Sequence, residues 1–151
     1  MNNLTVLDLF AGTGNLGIEA LSRGAARATF VDSHPQSLEI IRRNLDITGF
    51  TGRAELVPLD ALKALQRLDR EAGTFDILFV DPPYREVPLM QRVLEHLADS
   101  NIPAPGGLIV FETGSRTVLS LPDNLELEGK RLYGDTAILF IVKCKNRAVQ
   151  A

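Results

Sequence analysis

One apolar run and the two prolines that follow it constrain the fold most strongly. Residues 77–80 read Ile-Leu-Phe-Val and contain no polar side chain. A run of this kind is typical of a strand that is buried on both faces of a parallel sheet. Pro82 and Pro83 then interrupt the ladder of hydrogen bonds and turn the chain. We therefore expect Asp81 and Tyr84 on a stiff loop at the carboxyl end of a central strand, where open α/β sheets bind their ligands.

The rest of the chain alternates between strand-like and helix-like segments. Five strands are predicted first, at residues 4–10, 28–32, 54–57, 75–80 and 108–112, with helices between them at residues 18–23, 35–48, 61–72 and 89–97. A short helical piece is predicted within residues 115–121, an edge strand at 125–132, a tight turn at 133–135 and a last strand at 136–142. This pattern predicts an α/β fold with a doubly wound, seven-stranded, mostly parallel sheet and a C-terminal antiparallel hairpin. Residues 1–143 are expected to form one domain, and residues 144–151 a polar tail.

The composition limits the class of protein. The chain is 45% hydrophobic and 23% charged, as in ordinary globular domains, and no apolar run approaches the roughly 18 residues of a membrane helix. A single cysteine, Cys144, excludes an internal disulfide and fits a reducing cytoplasm. His34 and His96 stand alone, so no metal site is predicted. The net charge of −3 is not that of a typical nucleic-acid binder, so RNA or DNA would need a local basic patch.

The loop after residue 80 has a specific binding chemistry. The Asp81 carboxylate and the Pro82 carbonyl are two acceptors with no N–H donor between them, which suits an amino group that donates two hydrogens. The ring of Tyr84 offers a flat face on which a planar ring can stack. A heterocycle with an exocyclic amine, such as a nucleobase, fits both features. The alternative is a plain turn, because Asp before Pro is an ordinary turn sequence.

A glycine loop follows the first strand. Gly12, Gly14 and Gly17 let the backbone approach a ligand, and Asp32 comes 20 residues after Gly12, where it can accept ribose hydroxyls. This spacing is the formal dinucleotide fingerprint, so an NAD-linked oxidoreductase stays an alternative. However, Asp8 at the end of the first strand would repel a pyrophosphate and attract a cation. The pattern therefore favours S-adenosylmethionine, which carries a sulfonium, an ammonium group, a ribose and an adenine.

Two further positions have a functional and a structural interpretation. Asp60 follows the third strand and could accept a hydrogen bond from the adenine amine, with Ala61 and Leu62 against the ring. It is equally well suited to cap the helix that begins after it. Phe10 could line the pocket, although core packing explains it as well.

The motifs resemble those of a known family. Residues 8–14, Asp-Leu-Phe-Ala-Gly-Thr-Gly, resemble the first motif of class I S-adenosylmethionine-dependent methyltransferases. Residues 81–84 resemble the fourth motif of those that methylate exocyclic amines of bases. Residues 16–25 and 133–137 resemble the bacterial family that methylates N2 of a guanine in small-subunit ribosomal RNA. The resemblance covers nearly the whole chain.

The resemblance implies a function and a set of site residues. It implies methyl transfer from S-adenosylmethionine to guanine N2, with ribosomal RNA or the small-subunit particle as partner, by a cytoplasmic monomer without metal or membrane. The base is expected to leave its stack and enter the pocket. The site residues that it implies are Asp81, Pro82, Pro83 and Tyr84 for catalysis, and Asp8, Phe10, Gly12, Gly14, Asp32, Asp60 and Ala61 for the cofactor.

Two alternatives stay open at the level of the motifs. The Asp-Pro-Pro-Tyr motif does not separate guanine N2 from adenine N6, nor RNA from DNA, so an adenine-N6 methyltransferase remains possible. Members of the family carry an N-terminal segment before the first motif, whereas Leu4 here already belongs to the first predicted strand. We expect that segment to be absent, which leaves a truncated cofactor-binding module without activity as the second alternative.

Overall fold

The computed structural model describes residues 2–83 and 86–145. The strands are β1 (Thr5–Asp8), β2 (Arg27–Val31), β3 (Ala54–Val57), β4 (Phe75–Val80), β5 (Pro103–Gly114), β6 (Leu125–Tyr133) and β7 (Thr136–Lys143). The α-helices are α1 (Asn15–Ser22), α2 (Pro35–Thr48), α3 (Ala61–Arg70) and α4 (Val87–Asp99). The strands form one sheet in the order β3-β2-β1-β4-β5-β7-β6.

The sheet has the predicted topology. Strands β1 to β5 pair in parallel, and β7 is antiparallel to both β5 and β6. Strand β6 lies at the edge, as its alternating sequence predicts. The predicted doubly wound, mostly parallel sheet with a closing hairpin is confirmed. Among the described residues, no helix is both long and apolar enough to cross a membrane.

The helices cover both faces of the sheet, because each presents one apolar face. Helices α1 and α2 pack on one face through Ala20, Leu21, Ile41 and Leu45. Helices α3 and α4 pack on the other face, through Ala61, Ala64, Leu65, Leu68, Met90, Val93, Leu94, Leu97 and Ala98. Successive side chains of a strand point to opposite faces of the sheet, so each central strand packs against both layers of helices. The central strands are therefore buried on both sides, and only their ends are free to form a site.

The segment after β5 differs from its prediction. No helix forms within residues 115–121; a turn at Ser115 and Arg116 leads into irregular chain. Strand β5 runs on to Gly114, two residues beyond the predicted end. The Ser115 N–H then donates to the Asp135 carbonyl at 2.7 Å, and the Ser120 N–H donates to Gln91 Oε1 at 2.9 Å. These tertiary hydrogen bonds hold the segment against the hairpin and α4, and they replace the bonds of a helical turn.

The chain before the strand predicted at residues 108–112 is also different, although its Pro-Gly-Gly sequence at residues 105–107 is typical of a turn. Strand β5 already begins at Pro103, and its pairing with β4 shifts register between Phe75 and Ile77. Gly106 adopts a φ of 77° within this irregularity. The Pro-Gly-Gly sequence therefore produces a bulge inside a long strand instead of a turn before a short one.

Gly17 allows α1 to lie close to β2. A Cβ atom at this position would lie 2.3 Å from Cε1 and 2.7 Å from Cζ of Phe30, whose ring is fully buried. We expect Gly17→Ala to lower the free energy of unfolding by about 1–3 kcal/mol, because the ring or the helix must shift. Urea denaturation measures this, with Gly52→Ala as the control, since no atom lies within 4 Å of a Cβ there. Equal midpoints for the two variants would contradict the expected clash.

Candidate active site

The candidate site lies where the order of the strands reverses. Strands β1 and β4 are neighbours at the centre of the sheet, and the chain leaves them toward helices on opposite faces. Such a switch point leaves a crevice beyond the carboxyl ends of the strands. A cavity of about 660 Å³ lies there. Its lining residues are Leu9, Phe10, Gly12, Val31, Asp32, Ser33, His34, Leu59, Asp60, Ala61, Leu62, Asp81, Pro82, Pro83, Glu86 and Leu89.

Asp32 joins the glycine loop to the start of α2. Its Oδ2 accepts a hydrogen bond from the Gly12 N–H at 2.9 Å, and its Oδ1 accepts one from the His34 N–H at 2.9 Å. Gly12 has a φ of 58°, a left-handed conformation that favours glycine at this position. The Asp32 side chain is only 11% exposed. His34 Nδ1 also lies 3.1 Å from Oδ1, so the lone pair with which Asp32 can accept a further hydrogen bond at the cavity wall is on Oδ2.

Asp8 lies behind the glycine loop and outside the cavity lining. It is 3% exposed, and its Oδ2 accepts a hydrogen bond from the Gly17 N–H in the first turn of α1 at 3.1 Å. Burial raises the pKa of Asp8 from 3.8 to about 7, the bond from Gly17 lowers it, and the charge of Asp32 raises it again. Gly14 also lies outside the lining, and it precedes α1 as the N-cap residue with a φ of 81°. Direct cofactor contact by these two residues therefore stays a prediction.

The start of α3 forms another wall of the cavity, beside the one that carries Asp32. Asp60 caps this helix, since its Oδ1 accepts a hydrogen bond from the Lys63 N–H at 3.0 Å. The Asp60 side chain is 53% exposed and also lines the cavity, together with Leu59, Ala61 and Leu62. The capping interpretation of Asp60 is confirmed. Its contact with an adenine amine stays a prediction, which the geometry leaves room for.

The loop after β4 forms the opposite wall. Asp81 is exposed toward the cavity, whereas Pro82 is buried. The Pro83 carbonyl accepts a hydrogen bond from the Glu86 N–H at 3.2 Å, which turns the chain into α4. Tyr84 lies outside the described residues, so the stacking predicted for it stays a prediction.

Asp81 has a carboxyl neighbour that the sequence analysis missed. The pKa of Asp81 is raised from 3.8 to about 7. Partial burial is the largest cause, and the interaction with the Glu112 side chain and the charges of Glu112 and Asp8 raise the pKa further. Because Asp81 keeps an exposed side, water screens part of this effect. Glu112 was visible in the sequence as an acid near the end of a predicted strand, the same signal that identified Asp8 and Asp32. Glu112 was not identified because it does not belong to a recognisable sequence motif.

The cavity thus gathers most of the predicted site residues. Eight of them line it: Phe10, Gly12, Asp32, Asp60, Ala61, Asp81, Pro82 and Pro83. The lining residues that the sequence analysis missed include Leu59, Glu86 and Leu89. Four carboxyl groups around one cavity favour a ligand with positive charge or hydrogen-bond donors over a pyrophosphate. Within residues 2–83 and 86–145, no group of three or more His, Cys, Asp and Glu side chains could hold a metal ion.

A second, more open depression of about 560 Å³ lies between α3 and α4. It contains His96, whose Nε2 lies 2.5 Å from Asp69 Oδ2. His96 is therefore paired across the two helices and not isolated. The depression shares only Leu62 with the lining of the first cavity and contains none of the predicted site residues, so it is not the candidate site.

The fold is one that S-adenosylmethionine-dependent methyltransferases also have. At the level of the fold, the chain matches the RNA methyltransferase from Salinibacter ruber in complex with S-adenosyl-L-homocysteine with a TM-score of 0.71, at 14% identity over 95% of this chain and 82% of that chain. The chain belongs to the family described as "Conserved hypothetical protein 95", whose model matches residues 1–142. The predicted resemblance and the predicted class of cofactor agree with these matches.

Closer relatives support the same class. The chain is 34% identical over 140 residues to "Putative rRNA methyltransferase YlbH" of Bacillus subtilis, covering 91% of this chain and 74% of the relative. It is 32% identical over 129 residues to the ribosomal RNA small subunit methyltransferase D of Haemophilus influenzae, covering 85% of this chain and 66% of the relative. The solved structure of "Putative methyltransferase yhhF from Escherichia coli" matches with a TM-score of 0.85 and 30% identity, covering 96% of this chain and 78% of that chain.

Proposed function

We propose that the protein transfers a methyl group from S-adenosylmethionine to the exocyclic N2 amine of a guanine in small-subunit ribosomal RNA. The observation that carries the proposal is the position of Asp81 and Pro82 at the rim of a cavity whose opposite walls carry Asp32 and Asp60. A donor of two hydrogens is recognised on one side, and a polar cofactor on the other. The names of the relatives supply the ribosomal substrate.

Three parts of the cavity would hold the cofactor. Asp32 is fixed by two backbone N–H groups and can accept a ribose hydroxyl with the remaining lone pair of Oδ2. Asp60 can accept the adenine amine, while Leu59 and Leu62 provide apolar surface for the ring. The bound cofactor supplies an electrophilic methyl group on a sulfonium.

The residues of the loop after β4 would hold the base. Asp81 and the Pro82 carbonyl accept the two amine hydrogens, which orients the nitrogen lone pair and stabilises the positive charge that develops on it. The new C–N bond forms as the C–S bond breaks, and the methylated nitrogen then loses a proton to Asp81. All of these groups belong to one chain, so the proposal needs only a monomer. A ribosomal substrate also agrees with the cytoplasmic location predicted from the sequence.

The cofactor is tested by calorimetric titration of the purified chain with S-adenosylmethionine, with NADH as the control ligand. We expect binding of the first and not of the second. Binding of NADH alone would favour the oxidoreductase alternative, and binding of neither would contradict the cofactor assignment.

The substrate is tested by incubation with labelled S-adenosylmethionine and either free small-subunit ribosomal RNA or small-subunit particles, followed by nucleoside analysis. We expect the label in N2-methylguanosine. Label in N6-methyladenosine would overturn the choice of base while keeping the reaction class. Cofactor binding without transfer to either form of the RNA would favour a cofactor-binding module without activity.

A further inference from the structure

Another depression lies at the same edge of the sheet as the candidate site. It has a volume of about 650 Å³ and is lined by residues 114–118 together with Val87 and Asp135. Gly114 is the last residue of β5, and Asp135 belongs to the turn between β6 and β7. The space, which we call the Arg116 depression, therefore lies beyond the carboxyl end of β5 and beside the tip of the hairpin.

The Arg116 depression adjoins the candidate site at the start of α4. Glu86 lines the candidate site, and Val87, the next residue, lines the depression. The Cα atoms of consecutive residues are about 3.8 Å apart, so the two spaces are separated there by the width of one chain. Strands β4 and β5 are also paired neighbours, and the segments that follow them leave the sheet side by side. A polymer with one unit in the candidate site therefore has its next unit within reach of the depression.

The two spaces differ in charge. Four carboxyl groups line the candidate site, those of Asp32, Asp60, Asp81 and Glu86, and its described lining contains no lysine or arginine. Such a cavity can accept a neutral base, but it repels the negative phosphates on either side of that base. A cation just outside the cavity offsets this repulsion and holds the strand. Arg116, in the adjoining depression, is placed to do so.

Arg116 extends from a turn that backbone hydrogen bonds hold in place. The Thr117 N–H donates to the Gly114 carbonyl at 3.1 Å, and the Ser115 N–H donates to the Asp135 carbonyl at 2.7 Å. The Arg116 side chain is exposed. Its planar guanidinium carries five N–H donors, in a geometry that matches two oxygens of one phosphate.

The rest of the lining limits what the depression can bind. A single arginine with Asp135 nearby is not a broad basic surface, so the contact is restricted to one phosphate. Val118 is 88% exposed and offers apolar surface to a sugar or to the face of a base. This combination is that of a subsite for one nucleotide.

We propose that the Arg116 depression is a second RNA subsite, in which Arg116 binds a phosphate next to the target nucleotide while the target base occupies the candidate site. The inference rests on the proposed function and deepens it. It assigns the local cation that a chain with a net charge of −3 needs in order to bind RNA. A phosphate contact carries no base specificity of its own and instead fixes the position of the strand.

Arg116→Gln tests the contact through the salt dependence of RNA binding. Fluorescence anisotropy follows a labelled single-stranded RNA oligonucleotide with one guanine, in the presence of S-adenosyl-L-homocysteine, which has no methyl group to transfer. Each phosphate contact of a single strand contributes about 0.7 to the slope of log K against log salt concentration, and we expect the variant to lose this amount. Arg27→Gln is the matched control, because Arg27 is an exposed arginine at the start of β2, at the opposite edge of the sheet. Equal slopes for Arg116→Gln and the wild type would overturn the proposal.

A change in the RNA tests which phosphate is bound, and it also works on the wild-type protein. A methylphosphonate replaces one charged phosphate by a neutral group at a chosen position of the oligonucleotide. We expect wild-type affinity to fall when the replaced phosphate is directly 5′ or directly 3′ of the guanine. In Arg116→Gln the same replacement should cost no further affinity, because the contact is already lost. Losses that simply add at both flanking positions would overturn the proposal.

The two measurements distinguish this inference from the proposed function. A reduced slope and non-additive losses, without methyl transfer by the wild-type protein, would remove the function and leave the RNA subsite standing. Methyl transfer to RNA with equal slopes and additive losses would keep the function and overturn the inference.

Discussion

Asp81→Ala is expected to abolish methyl transfer while leaving the affinity for S-adenosylmethionine nearly unchanged. The carboxylate accepts from the amine and opposes the positive charge that develops on nitrogen, so its removal acts mainly on the transition state. Loss of one preorganised electrostatic group lowers kcat by about 10²–10³-fold, and the loss of orientation adds to this. The proposed cofactor contacts of Asp32, just after β2, and Asp60, just before α3, are on the other side of the cavity, and the substitution does not touch them.

Single-turnover transfer to small-subunit ribosomal RNA measures the first quantity, and calorimetric titration measures the second. Asp76→Asn is the matched control, because Asp76 lies at the opposite end of the same strand, where its Oδ2 accepts a hydrogen bond from the Thr5 N–H. We expect this control to keep its activity. If Asp81→Ala loses cofactor binding together with transfer, the assignment of Asp81 to the substrate side is wrong.

The fold was largely predictable because its main determinants are local. Apolar runs ended by glycine or proline mark the strands, and the parallel order follows from the helices between them. The predictions were wrong where contacts between distant parts of the chain determine the local conformation. The register shift at Phe75 and Ile77 lets β5 run through a Pro-Gly-Gly sequence, and the bonds of Ser115 and Ser120 to other elements replace the predicted helical piece. Neither partner of these contacts is near in sequence.

The sequence motifs identified the residues of the site, but they did not show which of those residues are buried and which face the cavity. The spacing from Gly12 to Asp32 and the sequence after β4 identified residues that do meet at one cavity. The sequence could not tell that Asp32, which follows β2, faces the cavity while Asp8, which is in register with Phe30 inside the sheet, is buried beneath α1. The contact of Glu112 with Asp81 depends on the register between β4 and β5, and no pattern within either strand specifies that register.

Asp8→Asn is expected to stabilise the protein above neutral pH. The pKa of Asp8 is raised from 3.8 to about 7 in the folded state, first by burial, so the folded state holds the proton more tightly than the unfolded state. The stability that Asp8 contributes is complete below about pH 4 and is lost as the pH rises to about 7, because the unfolded chain ionises first. An asparagine cannot ionise, and its Oδ1 can still accept the Gly17 N–H.

Urea denaturation of both proteins at about pH 5 and about pH 8 isolates this effect, since all other titrating groups are common to the two chains. The advantage of the variant in free energy of unfolding should grow with pH, toward a limit of about 4 kcal/mol for a shift of this size. A difference that stays constant between the two pH values would mean that Asp8 ionises as readily in the folded as in the unfolded chain. The carboxylate would then be well solvated or paired, and the buried position behind the glycine loop would carry no electrostatic cost.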